Sequence, residues 1–340
     1  MIAACSPKVA EDYSTLGRLS KASENGAYMY AHQDDLSYGH RWYLEEGRSD
    51  VKDVCGQYPA IIGFDLGRIE LGDSLNLDKV PFDYMVRMAN AHIENGGIVT
   101  FSWHPSNPLT GGDAWDVSSD EAVKSVMPGE AKHEMFKEWL KRAADLLESV
   151  NGGDGVIFRP WHENYASWFW WGGSLCTAEQ YQKLWEMTYD YMVNERGLKG
   201  LVWAFSPNGD VDKDEYMSRY PGDGIIDILG LDAYQKGEKE GFMSLLKNRL
   251  GYIRELATEH GKLFALTETG LEGIPEPKWW TDVLDDAIKD SGICYVLTWR
   301  NACDRETHFY APFPGAVCEE NFRLFESLPN TLFLDNINKR

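Results

Sequence analysis

At 340 residues the chain is long enough for one large α/β barrel or for two smaller domains. Its hydrophobic fraction of 43% is that of an ordinary globular protein. A net charge of −21, with no long Lys/Arg run, excludes electrostatic attraction to phosphate backbones, so nucleic acid is not an expected partner.

The N-terminal Ile2-Ala3-Ala4-Cys5-Ser6 is similar to the end of a bacterial lipoprotein signal, in which the cysteine becomes the lipidated first residue. The charged and long apolar parts of such a signal are absent, so the alternative is a chance match. On the first reading, residues 1–20 are a signal remnant and tether, Cys5 carries a lipid anchor, and residues 21–340 form the catalytic domain. The protein is then exported, and periplasmic or associated with the outer membrane.

Eight short apolar runs follow, at 27–31, 60–64, 98–103, 156–159, 201–205, 226–231, 263–267 and 293–299. Most are continuous rather than alternating, as suits parallel strands covered on both faces. Between them, 82–94, 135–150, 178–193, 242–259 and 279–289 carry apolar residues at helical spacing. Thr177 with Gln180 reads as a capping box. Glycines at 96–97, 152–153, 197, 261 and 292 mark helix ends. Eight strand–helix repeats predict a single (β/α)8 barrel. A doubly wound open sheet is the alternative, but Ala31-His32-Gln33-Asp34-Asp35 lacks the glycine-rich turn such a sheet has after its first strand.

Function in such a barrel sits at the C-terminal strand ends. Those ends carry His32, Asp65, Trp103-His104, Glu163, Ser206, Asp232-Ala233-Tyr234, Glu268 and Trp299-Arg300. Glu163 closes the fourth unit and Glu268 the seventh. Two carboxyl groups at one mouth are what glycoside cleavage needs, one to protonate the leaving oxygen and one to attack the sugar or activate water. Trp103, Trp115, Trp168, Trp279, Trp280 and Trp299 stand beside polar residues, and each reads as cleft wall or as core. Asp232 reads as a structural partner at the rim, and Glu70, Asp73 and the 238–240 charges as solvated surface. The six cysteines lack metal spacing and read mostly as free, buried thiols; no metal and no cofactor are expected.

The stretch Arg159-Pro160-Trp161-His162-Glu163-Asn164-Tyr165-Ala166-Ser167-Trp168-Phe169-Trp170-Trp171-Gly172 resembles the signature of glycoside hydrolase family 26. Thr267-Glu268-Thr269-Gly270, Trp103-His104-Pro105 and Trp299-Arg300-Asn301 also fit that family. The resemblance implies a retaining β-1,4-mannanase, endo-acting or mannobiose-releasing, acting on β-mannan; a monomer is expected. It implies Glu163 as general acid/base and Glu268 as nucleophile. His162 would hold or tune the acid, and Tyr234 would hydrogen-bond the nucleophile. Trp168, Trp299, His104 and Trp115 would line the sugar site. Arg300 would reach the next sugar on the non-reducing side, or pair with Asp304. Tyr165-Ala166 departs from the Asn-Gly of many relatives, which puts the leaving-group side in question. The long loops 107–129 and 302–316 could close the non-reducing end. Mixed-linkage β-glucan and β-1,3-xylan are alternative substrates on the same fold. A non-catalytic glycan-binding lipoprotein is the reading from another class; it gives no reason for two paired glutamates.

Overall fold

The computed structural model describes residues 12–338, so Cys5 and the anchor expected on it fall outside the described residues. Eight parallel strands close into a barrel: β1 (Tyr28–Gln33), β2 (Ile61–Asp65), β3 (Ile98–Ser102), β4 (Ile157–Arg159), β5 (Val202–Phe205), β6 (Ile228–Tyr234), β7 (Leu263–Gly270) and β8 (Tyr295–Thr298). Closure is made by β1 on β8, with Met29 opposite Tyr295 and His32 opposite Thr298. A two-residue strand, Thr331–Leu332, pairs in parallel with the start of β1.

Side chains alternate between two packed layers, as the two-residue period of a strand requires. Met29, Ala31, Ile61, Ile98, Ile157, Val202, Ala204, Ile228, Ala265, Tyr295 and Leu297 fill the barrel interior. Their neighbours, among them Tyr30, Ile62, Phe64, Phe101, Phe158, Trp203, Leu229 and Val296, pack outward against the helices. Both faces are therefore apolar, which is why the strands read as continuous runs.

The predicted helices appear with small shifts, as Phe82–Glu94, His133–Ser149, Ala178–Tyr189 and Lys239–His260. Thr177 and Gln180 form the capping box in both directions, at 3.2 and 2.9 Å. Two predicted helices contain π-helical turns, Asp190–Glu195 and Trp280–Asp285. An N-terminal helix, Thr15–Glu24, begins inside the segment read as a tether and buries Leu19, so ordered structure extends into it. Cys55, Cys176, Cys294, Cys303 and Cys318 are free thiols.

Candidate active site

Strand parity decides what faces the mouth. On β7, Leu263, Ala265 and Thr267 share the inward face, so a regular strand would turn Glu268 outward. A β-bulge prevents this. Leu231 of β6 pairs with Leu266, but the next residue, Asp232, pairs with Glu268, leaving Thr267 as the extra residue. The register against β8 shifts at the same place. A bulge re-aims a side chain, and here it swings Glu268 toward the barrel axis.

Glu268 is buried there and doubly held. Arg159 Nη2 donates to its Oε1, and the Tyr234 hydroxyl donates to its Oε2 at 2.6 Å. Arg159 ends β4 on the inward face and also donates to Asp232 Oδ2 at 2.9 Å and Ser206 Oγ at 3.0 Å. Asp232 accepts further from Thr267 Oγ1 at 2.7 Å. Burial alone would pull Arg159 down, but the charges of Asp232 and Glu268 outweigh it and keep the guanidinium firmly protonated. Burial lifts Asp232 above the usual carboxylate range, with Arg159 opposing and Glu268 adding repulsion.

Glu163 lies four residues beyond β4, in a turn rather than at the strand end itself. Trp161 and Glu163 both adopt left-handed backbone, with φ of 57° and 52°. Such values are uncommon for residues with side chains and persist only where the surroundings fix them. The Tyr181 hydroxyl donates to Trp161 O at 2.7 Å, Trp171 Nε1 to His162 O at 2.9 Å, and Glu163 N to Ser206 O at 2.8 Å. The Glu163 carboxyl accepts from Trp168 Nε1 at 2.8 Å. Burial first, then the charges of Glu268 and Asp232, push its pKa well above the ordinary value. Oxygens of Glu163, Asp232 and Glu268 lie within 4.8 Å of one another. This is the acidic group among the described residues that could ligate a cation. Arg159, bonded to two of the three, already supplies the positive charge a metal would bring.

The cleft above these groups encloses about 560 Å³ and is walled by His104, Trp115, Trp168, Phe169, Trp299 and Tyr310, with His162 and Tyr234 below. Of the predicted site residues, Glu163, Glu268, His104, Trp115, His162, Trp168, Tyr234 and Trp299 all meet there. The Trp115 ring stacks on His104, with centroids 5.3 Å apart and planes 16° apart. His162 does not bond the Glu163 carboxyl; its Nε2 meets His104 Nε2 at 3.0 Å.

Trp103, Trp279 and Trp280 are fully buried, which decides the choice between cleft wall and core in favour of core. Trp103 follows the outward parity of β3, and the other two lie in the helical layer. Glu70 is not solvated: it is fully buried and accepts from Trp103 Nε1 at 3.1 Å and Ser106 N at 2.7 Å. Arg300 follows Trp299 and pairs with Asp78 at 3.1 Å rather than with Asp304.

Sequence reasoning missed several wall residues. Tyr310 belongs to the 302–316 loop and packs edge-on against Tyr234, with centroids 5.7 Å apart. Its loop is held by Asn301, whose Oδ1 accepts from Tyr310 N and Ala311 N, both at 2.9 Å. Asn208 lines the far side and accepts from Tyr165 N and Ala166 N at 3.2 and 3.1 Å. Lys236 Nζ sits 5.6 Å from the Trp168 ring centre. Tyr165 itself turns away from the cleft. Its hydroxyl donates to Tyr216 O at 3.0 Å and accepts from Arg219 N at 3.0 Å, tying the Glu163 loop to the short helix Lys213–Ser218 that follows β5.

A buried, cation-bound glutamate facing a second glutamate of raised pKa, at the mouth of a (β/α)8 barrel under aromatic walls, has the make-up of a glycoside hydrolase centre. The chain belongs to glycosyl hydrolase family 26, which residues 19–272 match. It is 44% identical to a family 26 β-mannanase of known structure from Bacteroides ovatus, with a TM-score of 0.93 and 97% of each chain covered. It is also 28% identical over 330 residues to a mannan endo-1,4-β-mannosidase from Bifidobacterium adolescentis, and 34% identical over 231 residues to one from Bacillus subtilis. Those alignments take in 86% and 64% of this chain but 32% and 62% of the relatives' own lengths.

Proposed function

We propose that the protein hydrolyses the β-1,4-linked backbone of mannan with retention of configuration. The unequal environments of Glu163 and Glu268 carry this reading. Glu268, held by a guanidinium and a phenol, is the nucleophile; Glu163, kept protonated by burial and by its acidic neighbours, is the acid. In the first step a Glu268 oxygen bonds to the anomeric carbon. The bond to the leaving sugar breaks, and its oxygen takes the Glu163 proton. The repulsion from Glu268 then disappears with its charge, so Glu163 ionises more readily. In the second step Glu163 removes a proton from water, the water oxygen bonds to the anomeric carbon, and the ester to Glu268 breaks. Closely spaced oxygens support the retaining geometry, in which the carboxyl groups stand about 5–5.5 Å apart, whereas an inverting pair leaves a gap of about 6.5–9.5 Å for water. Trp168, Trp299, Trp115 and His104 supply the flat and polar faces that a mannose ring packs against.

The test is incubation of the protein with unbranched β-mannan, mixed-linkage β-glucan and β-1,3-xylan, with products separated by size over time. Mannan is expected to be cut in preference to the other two. Preferential cleavage of either alternative would overturn the substrate assignment. A broad early distribution of fragments marks internal cutting, and early mannobiose marks stepwise release.

A further inference from the structure

The turn that carries Glu163 is fixed through its backbone at Trp161, His162 and Glu163, as described above. The His162 side chain adds a link that runs out of the turn toward β2 and β3. His162, set between the two left-handed residues, meets His104 Nε2. The other ring nitrogen of His104, Nδ1, donates to Asp65 Oδ2 at 2.6 Å. Asp65 ends β2 on its inward face, is 2% exposed, and also accepts from Ser102 Oγ at 2.6 Å and Gly67 N at 2.7 Å.

The donor pattern around Asp65 leaves little freedom. Its three partners all donate, which suits an ionised carboxylate and no other side chain of that size. Burial would raise its pKa, but the His104 charge and these hydrogen bonds hold it below the ordinary value. With Nδ1–H of His104 committed to Asp65, the ring plane is set and Nε2 is aimed at His162. His162 Nδ1 has no hydrogen-bond partner, so this contact is the polar anchor of the buried ring. A line of three groups thus braces β2 and β3 against the Glu163 turn.

We propose that Asp65 is a positioning residue for Glu163, acting through His104 and His162. This rests on the reading of Glu163 as the acid/base. It touches neither glutamate, and its effect is to keep the strained turn in the one conformation that presents the acid to the leaving oxygen. A misplacement of about 1 Å costs catalysis on the order of 10²-fold.

Asp65→Asn preserves volume but sets an amide N–H₂ against a shell of donors. Its kcat/KM is measured on mannopentaose, whose leaving sugar needs a proton, and on 2,4-dinitrophenyl β-mannobioside, whose leaving phenolate needs none. A loss of about 10-fold or more on the first with less than about 3-fold on the second is expected, since general acid help is worth about 10²–10⁴-fold only where a proton is required. Equal losses on both substrates, or none on either, would overturn the proposal. If Asp65→Asn fails to fold by near-UV circular dichroism, Asp65→Ser removes the same carboxylate without adding an amide donor and is read in the same way. A wild type that cleaves neither substrate would sink the acid/base reading and the proposal together; wild-type activity on both with equal losses in the variant sinks the proposal alone.

Discussion

Glu163→Ala is expected to lower kcat/KM on unbranched mannan by about 10²–10⁴-fold, the usual contribution of a general acid. On 2,4-dinitrophenyl β-mannobioside the same variant should lose far less in this parameter, because the first step then needs no proton. The pH profile carries the sign of the effect. In the proposed mechanism Glu163 acts in the first step while protonated, and burial together with the charges of Glu268 and Asp232 raises its pKa. The wild-type kcat/KM therefore holds as pH rises from acid toward neutrality and falls once pH passes that raised pKa. In the residual activity of Glu163→Ala on mannan, this alkaline limb should vanish. An unchanged limb in the variant would assign the titration to another group and remove Glu163 from the acid role.

Arg159→Met is expected to cost about 3–5 kcal/mol of stability and to remove activity as well, because deleting one partner of a buried pair leaves the other charge uncompensated. The arginine is 2% exposed and bonds both Asp232 and Glu268. Its removal leaves three carboxyl groups with oxygens inside 4.8 Å and no guanidinium among them. Burial already raises Asp232 against the pull of Arg159, so in the variant that group has still less reason to ionise. The loss is read from the urea midpoint at unchanged slope. A midpoint equal to wild type would show that the three acids do not depend on this cation.

The sequence made the barrel legible because buried parallel strands are apolar on both faces, and it made Glu163 legible because its motif is long. What it hid was orientation. A continuous apolar run such as 263–267 conceals which residues point inward, so the bulge at Thr267 that brings Glu268 into the mouth left no signal. The same parity separates Trp299, which follows inward Tyr295 and Leu297, from Trp103, which follows outward Phe101 and becomes core. Arg300, one residue past Trp299, falls on the other parity and pairs with Asp78. Tyr310 escaped notice because loop geometry, set by the Asn301 bonds, has no periodicity to read.

Retention by the paired glutamates is tested most directly by proton NMR of the first reducing ends released from mannan, recorded before mutarotation. The β-anomer is expected to appear first, with the α-anomer growing in later. First appearance of the α-anomer would mean direct attack by water, and would contradict the assignment of Glu268 as nucleophile.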